Sequence, residues 1–101
     1  MMLYNETIGI DKDVEEKFLL WLTSFYIPQV MSTKLFLEFK IFKVLTHDDE
    51  NSTSYSIQFF SKTIEDVVSF IDHYSKPLVE QQQAIFKDKH ITFRTLLEQV
   101  Q

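Results

Sequence analysis

The chain has 101 residues, with ten Lys plus Arg against fifteen Asp plus Glu and a formal net charge of −5. That length suits one domain able to bury about two-thirds of its unfolded surface, and 45% hydrophobic with 25% charged residues is a globular rather than a disordered balance. The absence of cysteine excludes disulfides, thiolate metal sites and cysteine nucleophiles, and a single glycine, Gly9, excludes a phosphate-cradling loop or a dinucleotide fingerprint.

Leu3 to Ile10 is predicted as a strand, with Tyr4, Ile8 and Ile10 on one face and Asn5 and Thr7 on the other. Asp11 and Asp13 offer helix caps, and Glu15 and Glu16 suit the positive end of a helix dipole. Val14, Phe18, Trp21, Leu22 and Phe25 then form a wide helical stripe, which Pro28 is expected to end or kink. Leu35 to Thr46 is the longest β-prone run, apolar on both faces for part of its length. The acidic turn His47 to Ser52 joins it to a third strand, Tyr55 to Phe60, with Tyr55, Ile57 and Phe59 opposite Ser54, Ser56, Gln58 and Phe60.

Thr63-Ile64-Glu65-Asp66 resembles a capping box, with Asp in the last place, and Val67, Phe70, Ile71 and Tyr74 continue as a helix stripe. Pro77 suits the first turn of a helical segment reaching Phe86. Ile91, Phe93, Thr95 and Leu97 alternate with Thr92, Arg94, Leu96 and Glu98 in a last strand. The order β-α-β-β-α-β is the α+β ferredoxin-like plait, a four-stranded antiparallel sheet with its helices on one face, assigned as one domain over residues 1–101.

In that plait, the face carrying Tyr4, Ile8, Ile57, Phe59, Ile91 and Phe93 is expected to meet the helices. The opposite face then displays Asn5, Thr7, Ser56, Gln58, Thr92 and Arg94, with Leu3, Phe60, Leu96 and part of the second strand as apolar surroundings. Ten Phe exceed what one helix-covered face needs, notably Phe36 or Phe39 and Phe60. A soluble monomer rarely exposes a large apolar patch, so a two-fold homodimer packed across the open face is expected. The polar centre is either a set of solvated or interface side chains, or a partly enclosed ligand site. In the second case Arg94, Asn5, Gln58, Ser56 and Tyr26 hold a small anionic or carbonyl-bearing molecule, the guanidinium fork matching an anion and the amides fixing orientation.

Other chemistry finds little support. His47, His73 and His90 lack helical zinc spacing, so no metal and no cofactor are expected. His47 beside Asp48, Asp49 and Glu50 is read as a solvated turn in preference to a weak cation site. His73 and Tyr74 near Pro77 either frame a pocket mouth or place a His at a favourable helix end. The acidic balance, scattered lysines and lone arginine argue against nucleic acid. The first residues resemble no secretory signal and no stretch is long and apolar enough to cross a bilayer, so no membrane association and a cytoplasmic location are expected.

Several short strings carry a family resemblance: Leu3-Tyr4-Asn5, Trp21, Ile27-Pro28-x-Val30, Thr33-x-x-Phe36, Tyr55-Ser56-Ile57-Gln58 and Phe93-Arg94-Thr95. In order and spacing they resemble an uncharacterised bacterial family, a domain of unknown function of about this whole length. The resemblance implies a ferredoxin-like fold and no established activity. Tyr26 stands where that family usually has His, and Lys34 where it usually has Gly, so chemistry resting on that His is not repeated here in the same way. The arrangement is also similar, at fold level, to the dimeric α+β barrel superfamily, which includes cofactor-independent monooxygenases and haem-degrading enzymes. The leading expectation is a small homodimeric module that binds a ligand or protein through its open sheet face. The alternative is a cofactor-independent enzyme acting on a hydrophobic carbonyl compound in a cavity lined by Arg94, Asn5, Gln58 and Tyr26.

Overall fold

A computed structural model of the protein describes residues 1–46 and 49–101. Four antiparallel strands form one sheet in the order β2-β3-β1-β4: β1 Met2–Asp11, β2 Glu38–Lys43, β3 Ser52–Ser61 and β4 His90–Glu98. The helical layer comprises α1 Glu15–Trp21, a π-helical turn Leu22–Tyr26, α2 Ile27–Ser32, α3 Ile64–His73 and α4 Ser75–Phe86. Connectivity and strand order are those of the ferredoxin-like α+β plait.

Strict alternation positions the core. In β1, Met2, Tyr4, Glu6, Ile8 and Ile10 are buried; in β3, Thr53, Tyr55, Ile57, Phe59 and Ser61 are. Period-two side-chain placement sends each set to the helix-covered face and the intervening residues to the other. Phe18, Trp21, Leu22, Val67, Phe70 and Phe86 close the core from the helices. Phe36, predicted among the surplus aromatics, precedes β2 and is buried in this core, with its ring 5.4 Å from that of Phe59 and 5.3 Å from that of Phe70.

One helical detail departs from expectation. Pro28 does not end the first helix, because the π turn ahead of it absorbs the irregularity. The Ile27 N–H reaches back five residues to the Leu22 carbonyl, and Ile27 keeps helical angles (φ −62°, ψ −46°). Helicity therefore continues to Ser32. The later helical region divides at Tyr74 (φ −128°, ψ −28°) into α3 and the following segment α4, with Pro77 in the first turn of α4 as expected. At the start of α3 the predicted cap forms, Thr63 Oγ1 accepting the Asp66 N–H at 3.2 Å.

The last strand reverses the predicted faces. Arg94 lies opposite Glu6, and Thr92 opposite Ile8, so Thr92, Arg94 and Leu96 share the helix side; Ile91 and Phe93 lie on the open face. The cause is local. Over this edge strand α4 presents Gln82, whose amide donates to Thr92 Oγ1 at 3.1 Å, so the polar set of β4 finds partners under the helix. A shift of one residue exchanges every side chain between faces.

Candidate functional site

The residues predicted to form one site separate onto two faces. On the open face, β1 and β3 register Asn5 with Gln58 and Thr7 with Ser56. Ser56 Oγ donates to Asn5 Oδ1 at 2.6 Å, Asn5 Nδ2 donates to Thr7 Oγ1 at 3.1 Å, and Gln58 Nε2 donates to Ser56 Oγ at 3.4 Å. Asn5, Ser56 and Gln58 are thus together as expected, in a chain of uncharged hydrogen bonds. Apolar side chains border it: Ile91 and Phe93, 65% and 66% exposed, with Leu97, Leu3, Phe60 and, on β2, Phe42. Lys40 Nζ lies 5.4 Å from the centre of the Phe60 ring, a cation–π placement on the outer part of the same face.

Arg94 and Tyr26 do not join that chain. Both meet Glu6, which sequence reasoning passed over although it stands in phase with Tyr4, Ile8 and Ile10. Glu6 is fully buried at the middle of β1. The π turn brings Tyr26, 3% exposed, over the sheet, where its hydroxyl donates to Glu6 Oε1. Arg94 Nε lies 3.2 Å from Glu6 Oε2; the ion pair forms without a well-directed N–H bond to that oxygen. Burial pushes the Glu6 carboxyl above its ordinary range, against the opposing influence of Tyr26 and Arg94. Burial, reinforced by the Glu6 charge, likewise holds the Tyr26 and Tyr4 phenols well up, so both remain donors at any physiological pH. The predicted cavity lined jointly by Arg94, Asn5, Gln58 and Tyr26 is therefore not formed: alternation along β1 sends Asn5 and Glu6 to opposite faces.

His73, Tyr74 and Pro77 do border a cleft of ≈ 420 Å³, facing Phe25 and Gln29 across the interrupted helices. Among the described residues, no group of three or more His, Cys, Asp or Glu is placed to hold a metal ion. The turn His47 to Glu50, weighed as a weak cation site, has its first two residues outside the described ones.

Comparison with known proteins agrees with the fold and stops short of chemistry. A family described as a domain of unknown function (DUF4286) matches residues 1–100. No curated protein matches the chain. The solution structure of a de novo designed protein with a ferredoxin fold is similar over 100% of this chain and 88% of its own, at 16% identity and a TM-score of 0.54. The crystal structure of a dimeric ferredoxin-like protein from an uncultured marine organism is similar over 99% and 96%, at 12% identity and a TM-score of 0.55. At such identities the likeness is one of fold.

Proposed function

The chain belongs to the DUF4286 family of unknown function, and we propose that it acts as a single-domain homodimeric module of the bacterial cytoplasm whose two copies pack open sheet face to open sheet face. The exposure of Ile91 and Phe93, beside Leu97 and Phe42 at 44% and 50%, carries this reading. Apolar surface of that extent on one face is a recognition surface.

A second copy suits the face better than another class of partner. On a chain of net charge −5, the strand residues facing this side include only Asp11 at one end and the adjacent Glu38 and Lys40 as charged groups. Its middle is neutral, so two identical faces meet without like-charge repulsion, whereas nucleic acid or an acidic partner would want a basic stripe. The protein's principal extents are 38, 31 and 19 Å. Its broad side is thus large enough to supply the roughly 800 Å² per partner of a standard interface. The similar crystal structure whose description calls it dimeric supports the same direction. Asn5, Ser56 and Gln58 then serve as the polar centre of the interface, their remaining donors and acceptors satisfied by the second copy.

A paramagnetic agent added to methyl-labelled protein tests the placement. The Ile91, Leu97 and Leu3 methyls are expected to be shielded, while Leu20, exposed on the helical side, is broadened. Broadening of Ile91 and Leu97 to the same degree as Leu20 would remove the interface from this face.

A further inference from the structure

On the helical side of the sheet's outer edge, α4 and β4 enclose a cleft of ≈ 340 Å³ walled by Val79, Gln82, Lys87, His90, Thr92 and Arg94. A second cleft of ≈ 360 Å³ shares Val79 and Arg94 and extends to Tyr4 and Ser75. Neither has a carboxylate among its lining residues, on a chain with fifteen Asp and Glu. Glu6 stands behind Arg94 and is buried.

Three features indicate a built site. Gln82 is 2% exposed; its Nε2 donates to Thr92 Oγ1 and lies 3.3 Å from His90 Nδ1, yet its Oε1 has no partner. A buried amide oxygen without a donor is unfavourable until something supplies one. Arg94 turns Nε to Glu6 and keeps a side chain 35% exposed at the junction of the two clefts, with no other ion pair among the described residues. Glu6 therefore orients the guanidinium as well as balancing its charge, leaving the rest of the fork toward the clefts. Lys87 closes α4 with a left-handed backbone (φ 51°, ψ −119°), where a non-glycine residue is strained, and contributes to the cleft lining. Such strain persists where the surroundings impose it, commonly at binding sites. His90 is held toward its neutral form by burial and by Arg94, so it adds a hydrogen-bonding ring rather than a charge.

We propose that the α4–β4 cleft binds a small anion carrying an adjacent hydroxyl, its carboxylate or phosphate oxygens held by Arg94 and Lys87 and its hydroxyl donating to Gln82 Oε1. The site lies across the sheet from the open face and does not depend on dimer formation.

Nuclear magnetic resonance titration of the ¹⁵N-labelled protein at constant ionic strength tests it, with glycerate, propionate and inorganic phosphate as probes. Glycerate or phosphate is expected to give saturable shifts at the Gln82 side-chain amide and at Lys87, His90 and Thr92; whichever binds more tightly assigns the anionic group. Glycerate should bind about fivefold more tightly than propionate, which lacks the hydroxyl. Lys87→Gly should weaken binding about fivefold while raising the melting temperature, because it removes the charge and the backbone strain together. Shifts that do not saturate, shifts mapping to other surfaces, or Lys87→Gly binding as tightly as the unaltered protein would overturn the site. Equal affinity for glycerate and propionate would overturn the hydroxyl contact with Gln82.

Discussion

A carboxyl group on the core side of a central strand has to be matched there or hold its proton, because burial penalises the ion. Glu6 does some of both: Tyr26 and Arg94 attend its two oxygens, and burial still raises its pKa above the ordinary 4.5. The sign for stability follows. Between the unfolded value and the higher folded one, the native state holds a proton that the unfolded chain has released, so stability falls as pH rises through that window. Glu6→Gln removes this dependence. Relative to the unaltered protein it should gain stability as pH rises above 4.5, by at most about 1.4 kcal/mol per pH unit. Parallel melting-temperature curves for the two proteins between pH 4 and 8 would refute it. At Lys34 the backbone is left-handed (φ 63°) just past α2, its N–H bonded to the Met31 carbonyl at 3.1 Å. Glycine is at ease there. Lys34→Gly should stabilise by about 1 kcal/mol, an increase of about 4–8 °C in melting temperature; an unchanged or lower value would contradict that account. Glu6 was legible in the sequence as the one charge in phase with Tyr4, Ile8 and Ile10. Arg94 was less so, because β4 carries apolar residues in both phases, Ile91 and Phe93 in one and Leu96 in the other.

Among the elements, the first helix shows why periodicity located the helix and missed its detail. Val14, Phe18, Trp21, Leu22 and Phe25 fit a 3.6-residue stripe, but the π turn advances the phase, so Tyr26 becomes buried and Phe25 only partly so. Two adjacent aromatics give no hint of which turns inward. Without that turn Tyr26 would not reach Glu6, which fits the frequent occurrence of π turns at functional positions. The start of α3 was fully readable, since a Thr hydroxyl three residues before an N–H it can accept is a local arrangement. Thr63→Ala leaves the Asp66 N–H without that partner and should cost about 1 kcal/mol, or about 4–8 °C. Thermal melting that places Thr63→Ala level with the unaltered protein would mean the cap contributes nothing. The second strand, by contrast, is shorter than its apolar run, because Phe36 leaves the pleat to enter the core before β2 begins at Glu38.

At the scale of the whole molecule, element order alone led to the ferredoxin-like plait, since alternating strands and amphipathic helices in this sequence leave few other arrangements. Which face each side chain of the outer strand takes was decided by tertiary contacts, chiefly Gln82 against Thr92, that no periodicity contains. The consequence is larger than the error: Ile91 and Phe93 are turned outward onto the open face, while Phe36 and Leu96 are lost from it. The acidic helical layer and the neutral, apolar sheet face divide the surface between solvent and partner, while Arg94 and Lys87 mark a separate region on the helical side. Sedimentation equilibrium on the protein and on the double variant Ile91→Lys/Phe93→Lys decides the central point. A mass of twice 12.1 kDa for the protein, falling to the single-chain value in the variant with its circular dichroism spectrum unchanged, is the predicted result. A single-chain mass for the protein throughout a micromolar-to-millimolar concentration range, or a variant that stays dimeric, would contradict it.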